Sequence, residues 1–440
     1  MSGPGAIPRD ARRSLLIYNL AFPLVLVFLL PGIFLRMFRR GSFREKFGQR
    51  LGRYDAADRA RFAGGRWIWI HSISVGETLI ALKLAREIHA QVPEFQIALS
   101  VTTSTGLALA SEAACGWLAA LYNPIDSPGC VRAALDLIRP EKLLLIEGEV
   151  WPNLVAACRA RGVPVSLVNA RLSPRSERRM RTARHWVGPV FRLLDQVCVP
   201  ENEDVARWES LGVSMEKIHV TGSIKFDSPA DAPTREAEFR ALLAPLGVTE
   251  KTPVLVGGST WFPEEKILAD TLRHLRAEFP DLFLIIVPRH VERAAEILRA
   301  LAPLRIVRRS ALPLAQSCDV LLVDTTGELR DWYSLATLVF TGKSLPDVEK
   351  AGGQNPAEPA ALGKPVLFGP RMENFASIAS HLLAHGAART VRDPAAFAHE
   401  TAALLRDPAA RAAMGDAAAA ALLSHRGATE RTARLLLVRG

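Results

Sequence analysis

Cysteine is scarce in this chain, with five residues in 440: Cys115, Cys130, Cys158, Cys198 and Cys318. They lie far apart, with no CxxC pair and no Cys/His cluster at zinc spacing. That excludes a disulfide framework and a structural metal module, and it reads as reduced core thiols of a cytosolic domain. Acidic residues are outnumbered, 45 against 55 basic, for a net charge of +10. The basic module studded with aromatics that reads nucleic acid is nevertheless missing, so no nucleic-acid partner is expected. No repeat of solenoid period and no low-complexity tract appears, and no small-residue cleavage site follows the N-terminal apolar stretch.

What is present is apolar content of 49% over a length suited to two domains. Residues 14–35, "SLLIYNLAFPLVLVFLLPGIFL", carry no formal charge and are long enough to cross a hydrocarbon core of roughly 30 Å as a helix. Asn19, Pro23, Pro31 and Gly32 interrupt the run. It reads as a membrane anchor that either spans the bilayer or lies in its interface. Residues 1–60 hold eleven Lys and Arg against four Asp and Glu, a balance of +7, and most of that charge follows the run. The positive-inside bias therefore keeps the bulk of the chain on the cytoplasmic side, with a membrane surface as partner.

From residue 66 apolar runs alternate with amphipathic ones. "RWIWIHSIS", "FQIALSVTT", "KLLLIEGEV" and "VPVSLVNAR" read as strands of one parallel sheet. "TPVLVGGST", "DLFLIIVPRH", "DVLLVDTTG", "ATLVFTGKS" and "GKPVLFGP" read as strands of a second. The expected organisation is α/β: an anchor at 14–35, a doubly wound domain at 36–224, a polar linker at 225–250, a second such domain at 251–410 and C-terminal helices at 411–440.

Open α/β sheets bind ligands beyond the carboxyl ends of their strands. The residues at those ends in the first half are Ser72–Glu77 (with Ser74 and Gly76), Thr102, Thr103, Gly106, Glu147, Glu149, Asn169 and Arg171. In the second half they are Gly257, Gly258, Ser259, Thr260, Arg289, His290, Asp324–Glu328 (with Gly327), Gly342–Ser344 and the loop from Gly352 through Asn355 to Glu358. The two sets are expected to face one cleft. Glu77 stands where a strand gives way to a helix, a position that favours the ionised carboxylate, so it is expected to be permanently charged. It is either a general base or the ordinary acid of a helix start. Glu147 and Glu149 raise each other's proton affinity if they share the crevice. Asp324 reads as a helix N-cap.

"SVGET", "GEVWPNL" and "NARLSPRS", followed in order by "TGSIKFD", "GGST", "VPRHVER", "DTTGEL" and "GGQNPAEPAALGKPVLFGP", resemble the ordered signatures of the Kdo transferases of the WaaA/KdtA type. These membrane-anchored enzymes attach 3-deoxy-D-manno-octulosonic acid (Kdo) to the lipid A precursor. The resemblance implies an inverting GT-B glycosyltransferase of two Rossmann-like domains on the cytoplasmic face of the bacterial inner membrane, with CMP-Kdo as donor, a lipid A precursor as acceptor, and no cofactor. It implies Glu77 as the base and Glu149 as the second essential carboxylate. Acceptor contacts are then expected from Ser74, Gly76, Glu147, Asn169, Arg171 and Arg175. Donor contacts are expected from Lys225, Gly258, Ser259, Thr260, Arg289, His290, Gly327, Glu328, Asn355 and Glu358. With no DxD pair after a strand, no metal is expected.

The pattern departs from the family at Trp261 and Arg371, where His is common, at Gln354 in place of His, and at Lys343, which interrupts a usual "GGS". These positions leave room for a transferase using another CMP- or UDP-sugar. A catalytically inactive, membrane-tethered binding protein is the rival from a different class.

Overall fold

The computed structural model describes residues 6–40, 46–172, 174–227, 234–313, 317–349 and 351–438, without the side chains of 25–40 and 174–175. Seven parallel strands make the first sheet: β1 (Arg66–Ser72), β2 (Phe95–Val101), β3 (Leu118–Tyr122), β4 (Lys142–Ile146), β5 (Val165–Val168), β6 (Gln196–Val199) and β7 (Ile218–Val220), in the order β3-β2-β1-β4-β5-β6-β7. Neighbouring β1 shows why such strands must be apolar throughout. Trp67 and Trp69 join Leu143, Leu145 and Leu154 on one face. Ile68 and Ile70 join Ile80, Leu84 and Ile88 of the helix Val75–Gln91 on the other. Helices cover both faces, so nearly every position of β1 is interior. The polar edge of Trp69 is satisfied by donating to Ser100 Oγ at 2.7 Å.

The second sheet has the same character: β8 (Val254–Thr260), β9 (Phe283–Pro288), β10 (Ile306–Arg308), β11 (Val320–Leu322), β12 (Leu338–Thr341), β13 (Val366–Phe368) and β14 (Ala388–Thr390), in the order β10-β11-β9-β8-β12-β13-β14. All its pairings are parallel. In each sheet the chain reverses its direction of winding beside its first strand, between β1 and β4 and between β8 and β12. That reversal is where an open sheet leaves a crevice at its carboxyl edge.

The expected pair of parallel α/β domains is therefore present. Five strands that the apolar pattern left unmarked, β3, β6, β7, β10 and β14, complete the sheets. The compact units are residues 1–225 with 427–440, and residues 226–426. The segment read as a linker holds a helix, Glu236–Leu243, whose Phe239 and Leu243 are buried with Val254 and Trp332 in the second unit. Of the C-terminal helices, Pro408–Leu423 belongs to the second unit, and Ala428–Leu437 buries Ala433 and Leu436 in the first.

The anchor stretch lies within one helix, Arg9–Arg40. Among the described residues no helix is long and apolar enough to cross a membrane. The side chains of 25–35, half of the expected anchor, lie outside the described set. Where the run begins, the helix is docked on the first unit. Asn19 and Asn153 exchange amide hydrogen bonds at 3.0 and 2.7 Å, and Tyr18 bonds to the Asp126 carboxylate. Its other face is bare, with Leu16, Leu20 and Leu24 more than 60% exposed.

Gly258 lies inside β8, with the Tyr333 ring lying against its α-carbon, so a methyl group there would overlap Tyr333 Oη and Cε1. Gly258→Ala should destabilise the second unit by about 1–3 kcal/mol. Calorimetry should show a lowered unfolding transition for that unit alone.

Candidate active site

β1 ends at Ser72, and Ser74 caps the helix Val75–Gln91 by accepting the Glu77 N–H at 3.2 Å. Glu77 is the third helical residue, so its side chain folds back over the helix start. One carboxylate oxygen accepts the Ile73 N–H at 2.8 Å and the other the Ser74 hydroxyl at 3.0 Å. The two readings of Glu77 are thus compatible: it closes the helix start and also faces a cavity. The expectation of permanent charge is not met. Glu77 is only 7% exposed. Burial pushes its pKa up to about 7, outweighing the two hydrogen bonds, and Glu147 and Glu149 add to the rise.

Glu147 follows β4 in a left-handed backbone conformation, φ 61°, and its N–H is tied to the Val168 carbonyl at 2.8 Å. Its carboxylate is ion-paired with Lys225 Nζ at 2.9 Å. Lys225, expected on the donor side, is the last residue of the first unit's main segment, and its pairing lies within that unit. Asn169, at φ 55° after β5, is buried and uses its Oδ1 to accept the Ile224 N–H at 3.1 Å. It holds in place the segment that delivers Lys225. Glu149 projects with much of its area open, yet is flanked by enough protein that its pKa is raised, by lost solvent first and Glu147 second. Behind it, Asp126 accepts the N–H groups of Asn153 and Leu154 at 3.0 and 2.9 Å, anchoring the start of the helix Pro152–Ala160.

Glu77, Glu147, Glu149 and Arg171 are among the residues that line a cavity of about 560 Å³. Ile17, Met180, Trp186, Val187, Val190 and Phe191 supply an apolar wall. Periodicity carried no signal for this wall, because residue 17 and the helix Arg184–Phe191 meet only through the fold. Ser74 is exposed at the helix start, and Gly76 approaches the end of Lys225 without crowding it. The side chain of Arg175 lies outside the described residues.

In the second unit, Ser259 sits at φ 53° in an irregularity of the β8–β9 ladder. Thr260 is fully buried and donates to Glu265 at 3.2 Å. Arg289 is exposed beyond β9, and His290 stacks edge-on to Trp261. Glu328 is engaged by a two-pronged Arg309 pair at 2.9 and 3.0 Å and by the Thr325 hydroxyl, with Gly327 at φ 84° before it. Asp324, read as an N-cap, instead accepts the Ser310 N–H at 2.8 Å and the Ser310 hydroxyl. The N-cap of the helix Leu329–Ser334 is Glu328. Asn355 accepts the Ala357 N–H and donates to Glu358 at 3.2 Å. Burial raises the Glu358 pKa, opposed by Asn355 and by the charges of Arg330 and Arg289.

An acid whose pKa rises on folding makes stability fall with pH. Below its ordinary 4.5 the proton is bound in both states; between 4.5 and about 7 only the folded protein holds it; above that the buried charge opposes folding. Glu77→Gln should therefore unfold at the same urea concentration as the native chain near pH 4.5. At pH 8 it should be more stable in the first unit by about 1–3 kcal/mol.

Residues 45–228 match the family model described as 3-deoxy-D-manno-octulosonic-acid transferase (kdotransferase). The chain is 36% identical over 433 residues to the 3-deoxy-D-manno-octulosonic acid transferase of Bordetella pertussis, covering 93% of this chain and 97% of that one. It is 30% identical over 420 residues to the enzyme of the same name from Haemophilus influenzae, covering 94% and 95%. Among solved structures, the C-terminal CMP-Kdo binding domain of WaaA from Acinetobacter baumannii is 29% identical, over 42% of this chain and 96% of that one, with a TM-score of 0.39. UDP-GlcNAc 2-epimerase from Neisseria meningitidis is 14% identical, over 84% and 98%, with a TM-score of 0.46.

Proposed function

This chain is a member of the 3-deoxy-D-manno-octulosonic acid transferase family, a Kdo-transferring glycosyltransferase, and from that premise we propose that it moves Kdo from CMP-Kdo to a lipid A precursor with Glu77 as general base. The observation that carries this reading is a buried carboxylate, its pKa raised to about 7, in the lining of a cavity that also holds several apolar side chains. Such a cavity suits an amphiphilic acceptor, with a sugar hydroxyl beside Glu77 and acyl chains along Ile17, Met180, Trp186 and Val190.

In the proposed step Glu77 takes the proton of the acceptor hydroxyl as the oxygen attacks the anomeric carbon of Kdo. The bond from that carbon to the phosphate oxygen breaks with inversion, and its electron pair leaves on CMP. A base is most effective when its pKa lies near the working pH, and burial supplies that value here. Lys225, paired with Glu147, offsets part of the rise that Glu147 causes at Glu77. Glu149 keeps an open carboxylate for orienting the acceptor. On the donor side, Arg289 is suited to the phosphate, and Glu358, oriented by Asn355, to ribose hydroxyls. The reading gives charge stabilisation to side chains and backbone N–H groups and needs no metal or cofactor.

A location at the cytoplasmic face of the bacterial inner membrane belongs to the same proposal. The bare leucines of the first helix, exposed Trp186, and exposed Arg178, Arg179, Arg181 and Arg184 suit an anionic interface.

Purified protein incubated with CMP-Kdo and the tetra-acylated lipid A precursor should yield a product heavier by whole Kdo residues in mass spectra. No addition, under conditions where a characterised relative works, would overturn the reading. Glu77→Gln should lower kcat by about 10²–10⁴-fold. For the native enzyme, kcat/KM should rise with pH and level off above about 7. Lys225→Met leaves the Glu147 charge unpaired and should move that limb to higher pH.

A further inference from the structure

We propose that Lys343 is a donor-binding residue: its ammonium, carried on the indole of Trp261 at the carboxyl ends of β8 and β12, receives an anionic oxygen of the nucleotide sugar. The inference rests on the donor reading above and adds a residue to it. Trp261, His290 and Lys343 follow β8, β9 and β12, three neighbouring strands at the winding reversal of the second sheet. Lys343 Nζ lies 4.8 Å from the centre of the Trp261 ring, and Trp261 meets His290 edge-on at 4.8 Å. Two of the positions that depart from the family pattern are therefore in contact with each other.

Glu264 brings them together. It is fully buried, and one of its oxygens accepts the N–H groups of both Trp261 and Lys343, at 3.0 and 2.7 Å. Its other oxygen accepts those of Ser344 and Leu345, at 2.9 and 3.2 Å. The backbone donors after β12 would otherwise make an anion cradle, but the protein's own carboxylate fills them. An anion arriving here must be met by a side chain. The Lys343 carbonyl is equally committed, accepting the N–H groups of Gly352 and Gly353 at 3.1 and 2.8 Å, at the start of the loop that leads to Asn355 and Glu358. Lys343 is held at φ 57°, a conformation glycine adopts at no cost and lysine does not. A strained lysine with its backbone fully spent has only its ammonium left to contribute. Among the described residues, that ammonium's contact is the indole face rather than a carboxylate.

CMP-Kdo offers two anions, the phosphate and the sugar carboxylate, and the test separates them. CMP is titrated calorimetrically into the full-length native protein and Lys343→Met, with cytidine as the probe lacking an anion. Failure of the native protein to bind CMP would sink the donor reading itself. A loss of about ten-fold in CMP affinity in Lys343→Met, with cytidine binding unchanged, assigns the phosphate. Unchanged CMP binding with KM for CMP-Kdo raised about ten-fold assigns the carboxylate. In either case Trp261→Leu should reproduce the loss, Trp261→Phe should restore most of it, and the double variant should be no weaker than Lys343→Met. If Lys343→Met keeps the native unfolding midpoint, CMP affinity and KM, the proposal is wrong.

Discussion

The N–H of Ile73 points at the carboxylate of Glu77, and the carboxylate cluster of the first unit is arranged around that bond. It turns the side chain back over the helix start, out of bulk water, and so sets the two opposing influences on its charge. Hydrogen bonds to Ile73 and Ser74 favour the anion; burial beside Glu147 and Glu149 favours the acid. Burial wins, but not by so much that the proton is locked on. Lys225 matters because it sets a positive charge against Glu147, and Asn169 because it fixes the backbone just before Lys225.

The second unit places a carboxylate at the same point of its own topology. Glu264 opens the helix after β8 as Glu77 stands in the first turn after β1. The local chemistry is alike and the outcome differs. Glu264 is enclosed by four backbone N–H groups and has no lone pair to spare for a ligand, whereas Glu77 has two partners and a cavity beside it. A buried acid at a strand–helix junction thus becomes a clamp or a site according to how many donors surround it.

The fold class was legible because strands covered on both faces are apolar along nearly their whole length and alternate with amphipathic segments. β7, β10 and β14 were not, being three residues each, too brief for any period to register. Within the site, Glu77, Glu147 and Glu149 were legible from their places after β1 and β4. The protonation of Glu77 was not, since burial depends on residues far away in sequence. Lys225 was read as a donor contact from the resemblance of "TGSIKFD", and only the return of the chain beside Asn169 shows it pairing with Glu147. Glu328 looked free beyond β11, and Arg309 from an earlier turn engages it.

The docking of the first helix through Asn19–Asn153 and Tyr18–Asp126 bears on how this protein can be handled. A shortened version that begins after the apolar run, made for solubility, would lose Ser14, Ile17 and Tyr18 from the cavity lining. It would also take Asn19 from Asn153 and Tyr18 from Asp126, leaving the bonds between Asp126 and the start of the helix Pro152–Ala160 to hold that region without them. The N-terminal segment is masonry of that cavity, and a truncate lacking it would be a different vessel.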